Sequence, residues 1–246
     1  MSVPYNNYIQ ELKKQYSITA SQWGLFNRNS GVGYFDDLNK YGDFRYLLND
    51  IEHVRFKKIL DFGCGPGRNI RNCQHIVGKI DGVELIHQYT EHACKYLHFC
   101  GYNPRDFTFY NTNGYDLSEI QDDTYDVIIS SLVMQNICIY DIRYNYFKEF
   151  MRVLKPGGEI SIQMGYGSPS PNTVAYTNNT WNDGDQLNGV CVENVSEIQN
   201  DLEEIGFINF TYNIVDTGPG DSSPKWIYFK ASVPKEEVVQ EVVQEV

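Results

Sequence analysis

Short apolar runs recur along most of the chain and alternate with segments that have the spacing of amphipathic helices. The run Val127-Ile128-Ile129 is typical of a strand buried on both faces, because its apolar residues are consecutive. Strands that alternate with helices predict an α/β domain with a mostly parallel sheet. The predicted strands are residues 58–62, 78–84, 107–110, 127–129, 159–164, 207–215 and 225–231, and the predicted helices are 88–100, 146–154 and 195–205.

The two ends of the chain differ from this central pattern. Residues 1–54 precede the first strand and are rich in aromatic side chains, so we expect a helical N-terminal cap. One of its helices should run through Trp23 and be capped by Thr19 or Ser21. The tail, residues 233–246, repeats Glu-Val-Val-Gln, and we expect it to be disordered.

A glycine-rich stretch directly follows the first predicted strand. It reads Asp61-Phe62-Gly63-Cys64-Gly65-Pro66-Gly67, and a helix-compatible segment comes next. Glycines have no Cβ, so the backbone at this turn can lie close to a ligand. The spacing is G-x-G-x-G with an aspartate two residues earlier, which differs from the G-x-G-x-x-G of dinucleotide-binding proteins.

This stretch resembles the first motif of the class I S-adenosylmethionine-dependent methyltransferases, which have seven β-strands. Within that class, the resemblance is to the methyltransferase types 11 and 25. The sequence Leu154-Lys155-Pro156-Gly157-Gly158 before a strand is a second feature of that family. The resemblance covers residues 55–232. It implies a Rossmann-like, doubly wound, seven-stranded and mostly parallel sheet with an antiparallel last strand, and S-adenosylmethionine as the cofactor.

The resemblance also implies which residues hold the cofactor. Asp61 and the glycine loop would bind the methionine end. Glu84 ends the second predicted strand, where a carboxylate can accept both ribose hydroxyls in a doubly wound fold. Leu85 would lie against the adenine, and Asn113 would accept from its amino group. The complete set of cofactor-binding candidates is Asp61, Gly63, Cys64, Gly65, Glu84, Leu85, Asn113, Gly114 and Ser131.

The amino-acid composition and the net charge indicate which kinds of partner to expect. The 246 residues carry a net charge of -12, which argues against a protein that holds nucleic acid by its phosphates. Six cysteines show no metal-ligand spacing, so we expect reduced thiols and no bound metal. Without a signal peptide or a long apolar run, we expect a cytoplasmic protein with no membrane partner. Nothing in the sequence indicates an oligomeric state.

The methyl acceptor is expected to bind under the polar insertion at residues 165–193. This insertion leaves the carboxyl end of the fifth predicted strand, where ligands bind in open α/β sheets, and its polarity predicts a loop. A small molecule or sugar that accepts the methyl group on O or N is the favoured partner. The candidate catalytic residues are Tyr166, Asp183, Asp185 and Asp221, with Gln135 as an orienting group.

Two other functions fit the same sequence. The chain could be a non-catalytic S-adenosylmethionine-binding subunit of another enzyme, since the histidine that many small-molecule methyltransferases have at Gln135 or Asn136 is missing. It could also methylate a protein or an RNA. Methyl transfer to a metabolite pool would support the small-molecule methyltransferase. Stable co-purification with another chain would support the non-catalytic subunit.

Overall fold

The computed structural model describes residues 3–22, 43–168, 173–217 and 223–235. The first helix, α1, spans Asn6–Gln22. It buries Tyr8, Leu12 and Ala20, whose spacing is that of one helix face. The expected cap at Thr19 or Ser21 is therefore wrong, because both residues lie inside α1. Trp23 lies outside the described residues.

Helices and strands alternate along the rest of the chain, as the apolar pattern predicts. The helices are α2 (Asp43–Leu48), α3 (Arg68–Cys73), α4 (His87–Phe99), α5 (Tyr140–Val153) and α6 (Val195–Ile205). The strands are β1 (Lys58–Phe62), β2 (Lys79–Glu84), β3 (Phe109–Asn111), β4 (Tyr125–Ser130), β5 (Leu154–Tyr166), β6 (Val174–Ala175), β7 (Val190–Val192), β8 (Ile208–Asp216) and β9 (Lys225–Ser232).

The strands form one mostly parallel sheet. The main path runs β3-β2-β1-β4-β5-β9-β8, and each of the first four pairings in it is parallel. Strand β9 pairs antiparallel with both β5 and β8. The predicted parallel sheet with an antiparallel last strand is therefore confirmed.

Helices cover both faces of this sheet, because successive strand residues point to opposite sides. Leu60 and Phe62 of β1 join a core cluster with residues of α1, α5 and α6. Ile59 of the same strand joins a second cluster with residues of α2, α3 and α4. The doubly wound arrangement follows from this alternation.

The insertion at residues 165–193 adds the two short strands β6 and β7. Strand β7 pairs with Gly165 and Tyr166 of β5, beyond the point where β4 ends. Val190, Cys191 and Val192 are fully buried. The expectation that this polar segment is a loop is thus wrong in part, because a three-residue apolar run extends the sheet. Residues 169–172 of the insertion lie outside the described parts.

Two further findings concern the whole chain. All six cysteines are free thiols. Across the described ranges, no helix combines the length and the apolar character that crossing a bilayer requires.

Candidate functional site

A cavity of about 330 Å³ lies where β1, β2 and β4 end, at the carboxyl edge of the sheet. Crevices at this edge are where open α/β sheets bind ligands. Helix α1 forms the wall opposite the glycine loop. The residues that line the cavity are Tyr8, Leu12, Tyr16, Phe62, Gly63, Cys64, Gly65, Pro66, Arg68, Asn69, Val83, Glu84, Leu85, Ile86, Tyr89, Thr112, Gly114, Ser131, Leu132, Val133, Asn136, Ile137 and Tyr146.

The glycine loop is held against β2 by its own backbone. The amides of Gly63 and Cys64 both donate to the carbonyl oxygen of Val83, at 2.9 and 3.1 Å. Gly63 has φ of 72° and Gly65 has φ of 51°, a region that glycine adopts without the steric cost of a side chain. A Cβ built on Gly63 would lie 2.3 Å from Cγ2 of Val133, so this close approach requires glycine.

Asp61 lies beneath the loop and is almost completely buried. Its Oδ1 accepts a hydrogen bond from Nδ2 of Asn69 at 3.2 Å. Its Oδ2 is buried without a hydrogen-bond partner among the described residues. Burial raises the pKa of Asp61 to about 7, although the Asn69 hydrogen bond and the charge of Arg68 oppose the shift. An unpaired buried carboxylate oxygen is a strong acceptor for an added N–H donor.

Glu84 ends β2 and faces the cavity from the other side of the loop. Its Oε2 accepts from the Gly65 amide at 2.9 Å, and its Oε1 accepts from the amides of Leu85 and Ile86 at 2.7 and 3.1 Å. Burial raises its pKa, and these three backbone hydrogen bonds oppose the shift. The carboxylate therefore ties the glycine loop to the start of the next segment, and its remaining lone pairs can accept from a ligand.

Cys64 contributes to the loop without offering a thiolate. A Cβ built on Gly82 of β2 would meet its Sγ at 2.6 Å, so the thiol packs against the sheet. Burial raises its pKa well above the usual range. A nucleophilic thiol requires the opposite shift, so Cys64 acts as a small apolar residue at this turn.

The remaining candidates for cofactor binding divide into two groups. Leu85, Gly114 and Ser131 line the cavity. Asn113 does not, because its Oδ1 accepts hydrogen bonds from the backbone amides of Tyr115 and Asp116 at 2.7 and 3.0 Å. Its side chain lines a smaller neighbouring cavity of about 150 Å³. The structure thus uses Asn113 to close the turn after β3.

The candidate catalytic residues that the structure describes do not line the cavity. Tyr166 is half-buried at the end of β5, and Gln135 is buried behind the cavity wall. Asp183 and Asp185 are exposed, and Asp185 caps a turn by accepting from the amide of Asn182 at 2.8 Å. Asp221 lies outside the described residues and stays a prediction. These positions came from topology, which cannot tell whether a side chain points into a site.

The resemblance implies that N-terminal helices cover the cofactor, but the cofactor-binding candidates from the sequence include no residue of α1 and only Ser131 of the turn after β4. Tyr8, Leu12 and Tyr16 occur every fourth residue, a spacing that places all three on one helix face and could have revealed this wall. The hydroxyl of Tyr8 accepts from the Cys138 amide at 2.7 Å and donates to the Asn136 carbonyl oxygen at 3.3 Å. These bonds fix α1 to the chain segment that follows β4.

The insertion is attached to that same segment. Nδ2 of Asn178 donates to the Cys138 carbonyl oxygen at 3.0 Å, and the ring of Trp181 lies edge-on to Tyr8, with 5.8 Å between centroids. The buried Arg143 of α5 donates to the carbonyl oxygens of Ile137 and Tyr176. The insertion therefore supports the cavity wall from behind.

Comparisons with known proteins agree with this site. A family model described as a methyltransferase domain matches residues 60–162, which include the glycine loop and Glu84. The match begins in β1 and ends in β5, so it covers the strands around the cavity. The match supports the predicted class I S-adenosylmethionine-dependent methyltransferase, with S-adenosylmethionine as its cofactor.

The proteins similar to this chain include methyltransferases named for different acceptors. Arsenite methyltransferase from Rattus norvegicus is 30% identical over 126 residues, which span 48% of this chain and 33% of that protein. A phosphoethanolamine N-methyltransferase 2 from Haemonchus contortus, solved with S-adenosylhomocysteine, has a TM-score of 0.63 at 16% identity and covers 95% of this chain, which in turn covers 61% of it.

The fold alone does not fix the reaction. The cyclase SpnF has a TM-score of 0.62 at 14% identity, and the alignment covers 80% of this chain and 81% of that one. The chain spans only about a third of the rat arsenite methyltransferase. The residues of the cavity therefore decide which reaction the protein catalyses.

Proposed function

We propose that this protein transfers a methyl group from S-adenosylmethionine to an O or N atom of a small molecule. The observation that carries the proposal is the convergence of the glycine loop and Glu84 on one cavity at the carboxyl edge of the sheet, with Asp61 buried beneath the loop and bonded to Asn69 of the cavity lining. When bound, S-adenosylmethionine supplies an electrophilic methyl group on a sulfonium.

The residues around the loop fit this cofactor. The unpaired Oδ2 of Asp61 suits the ammonium group of the methionine end. Glu84 offers a carboxylate to two neighbouring ribose hydroxyls, and Leu85 and Ile86 provide an apolar surface for the adenine. Gly63 and Gly65 have no side chain, so the cofactor can lie close to the backbone of the loop. A side chain on Gly63 would also collide with Val133.

The acceptor is proposed to enter between α1 and the turn after β4. This side of the cavity is lined by Tyr8, Leu12, Tyr16, Val133 and Ile137, so it is aromatic and apolar. Burial raises the pKa of Tyr16 to about 12, which keeps its hydroxyl neutral. A wall of this kind aligns an acceptor and excludes water, which is what an in-line methyl transfer needs most.

The first experiment is calorimetric titration with S-adenosylhomocysteine. The wild type should bind it, and Glu84→Gln should weaken binding at least about tenfold, because hydrogen bonds to a charged acceptor contribute about 1.5–3 kcal/mol. The matched control is Glu91→Gln, which changes an exposed carboxylate of α4 and should bind like the wild type. A folded wild type that does not bind would contradict the proposal.

The acceptor class is tested by product formation. Release of S-adenosylhomocysteine is followed with a panel of small amines, hydroxy acids and sugars. Turnover with a member of the panel, lost in Glu84→Gln, would support the proposed reaction. Binding of cofactor without turnover, combined with stable co-purification of a second chain, would favour a non-catalytic subunit.

A further inference from the structure

Leu132 has an unusual backbone conformation in the cavity wall. It follows β4 directly and has φ of 61°, although it is neither glycine nor asparagine. A bulky residue in this left-handed region is a steric outlier. Such strain persists only where the surrounding structure holds the residue in place, and it concentrates at functional sites.

Two side-chain amides hold this residue. Oε1 of Gln163 accepts from the Leu132 amide at 3.1 Å. Nδ2 of Asn136 donates to the Leu132 carbonyl oxygen at 2.7 Å. Both polar groups of the Leu132 backbone are therefore fixed by side chains, one from β5 and one from the short helical turn at Met134–Asn136.

Gln163 is placed to do this from inside the sheet. It lies three residues before the end of β5 and is completely buried. Its Oε1 also accepts from Oγ of Ser131 at 3.0 Å, so one oxygen fixes two consecutive residues after β4. Its Nε2 is buried without a hydrogen-bond partner among the described residues. A buried amide with an unsatisfied donor is unfavourable, so an apolar residue would suit this position better if packing were its only role.

The turn that Gln163 holds decides where Val133 lies. The Cγ2 atom of Val133 occupies the space that a Cβ on Gly63 would need, at 2.3 Å. Ser131, Leu132, Val133 and Gly63 all line the cavity. The left-handed turn therefore presses Val133 against the glycine loop and closes the cavity at the methionine end of the proposed cofactor site.

We infer that Gln163 is a positioning residue, whose amide oxygen holds the strained turn at Leu132 and thereby the shape of the cofactor cavity. Gln163 itself does not line the cavity, so it acts through Leu132 and Val133. The inference rests on the proposed function, because the cavity is taken as the S-adenosylmethionine site.

The test is a double-mutant cycle read by calorimetry with S-adenosylhomocysteine. Gln163→Met keeps the length of the side chain and removes the acceptor, and it should weaken binding about tenfold because the turn loses its hold. Leu132→Gly removes the strain, since glycine adopts this φ freely. The double variant should therefore bind within about threefold of Leu132→Gly alone, which is the non-additivity expected of residues that act together.

The control and the readouts separate this role from general stability. Ser161→Ala changes another buried residue of β5, two positions earlier on the same face, and should leave the affinity unchanged. Urea denaturation of every variant gives the free energy of unfolding beside the affinity. A residue with only a structural role would lower stability and leave the affinity of the folded protein unchanged.

The outcomes are distinguishable. If Gln163→Met binds like the wild type, or if Leu132→Gly fails to restore binding in the double variant, the inference is wrong. If Gln163→Met folds only when Leu132 is replaced by glycine, the rescue is seen in folding itself and supports the assignment. If the wild type does not bind S-adenosylhomocysteine at all, the proposed function fails instead.

Discussion

The glycine loop shows how much a single Cβ decides. Gly63 and Gly65 both have positive φ, but their surroundings differ. A Cβ on Gly63 would meet Val133 at 2.3 Å, whereas a Cβ on Gly65 would have no heavy atom within 4 Å. The two positions therefore separate the cost of the backbone conformation from the cost of a steric collision.

We expect Gly65→Ala to lower the free energy of unfolding by about 1–2 kcal/mol, the cost of a side chain in the left-handed region. Gly63→Ala should lower it by a further 1–3 kcal/mol or so, because Val133 must move within a packed wall. Urea denaturation of both variants measures the difference. Equal losses would show that Val133 gives way freely.

The pKa of Asp61 leads to a prediction on pH. Burial raises this pKa to about 7, so between its ordinary value and pH 7 the folded protein holds a proton that the unfolded chain has lost. Stability attributable to Asp61 should therefore decrease as the pH rises through this window and stay constant above it. Asp61→Asn should remove that slope, which denaturation at several pH values would reveal.

Ligand binding should show the opposite trend. An ammonium group beside Oδ2 favours the ionised carboxylate, so binding of S-adenosylhomocysteine below about pH 7 should release a proton from Asp61. In that range the affinity should increase by up to about tenfold for each unit by which the pH rises. Above pH 7 the affinity should be flat. Titration in buffers of different ionisation enthalpy detects the proton, and an Asp61→Asn variant that releases the same proton would contradict the assignment.

At this scale the sequence predicts positions better than orientations. Gly63, Gly65 and Glu84 line the cavity, and Asp61 lies buried beneath the loop, because a strand end and a tight turn leave their backbone little choice. Asn113 has the expected position, but its amide can satisfy either a ligand or the local backbone, and the local amides are nearer. Such competition cannot be resolved from residue type.

Among the elements, the insertion depends on a buried carboxylate. Asp201 of α6 accepts from the hydroxyl of Tyr176 at 2.6 Å and from that of Tyr140 at 2.8 Å. Tyr176 belongs to the insertion and Tyr140 begins α5. Burial raises the pKa of Asp201, and the two hydroxyls oppose the shift. One side chain therefore joins three elements.

Removing one hydroxyl at a time tests this arrangement. Tyr176→Phe should lower the free energy of unfolding by about 1–3 kcal/mol, because it takes a donor from a buried carboxylate at a position where no water can replace it. Tyr140→Phe, at a more exposed position, should cost about 0.5–1.5 kcal/mol. Chemical denaturation compares the pair, and a larger loss for Tyr140→Phe would contradict this order.

The elements also show where periodicity fails as a guide. Strand β1 and helix α6 agree with their predicted bounds because their apolar spacing is unambiguous. Strand β7 has only three residues, and its burial depends on β5 extending beyond β4. No local pattern reports that extension, so the insertion appeared as a loop.

For the whole molecule, ligand binding and folding are linked. If S-adenosylhomocysteine binds only the folded protein, a concentration of 100 times the dissociation constant should stabilise it by about 2.7 kcal/mol. For a chain of this size, that corresponds to a rise in melting temperature of about 5–10 °C. Differential scanning fluorimetry measures the shift, and adenine alone serves as the control. A shift that persists in full in Glu84→Gln would contradict the proposed site.

The fold itself was largely accessible from the sequence. Alternating strands and helices with a glycine turn after the first strand restrict an open sheet to few arrangements. The family resemblance implied that N-terminal helices cover the cofactor, but the residues through which α1 docks could not be predicted, because a helix outside the alternating pattern can dock on several surfaces. Its position over the cavity is visible only through contacts such as that between Ile9 and Gly114.

The contact between Trp181 and Tyr8 gives the molecule an internal optical reporter. The indole lies edge-on to a tyrosine that forms the cavity wall, so its emission depends on how that ring is packed. Trp226 lies in β9 and does not line the cavity, and Trp23 lies outside the described residues, so a comparison with Trp181→Phe is needed to assign the signal. A fluorescence change on adding S-adenosylhomocysteine that disappears in Trp181→Phe would therefore report occupancy without any attached dye.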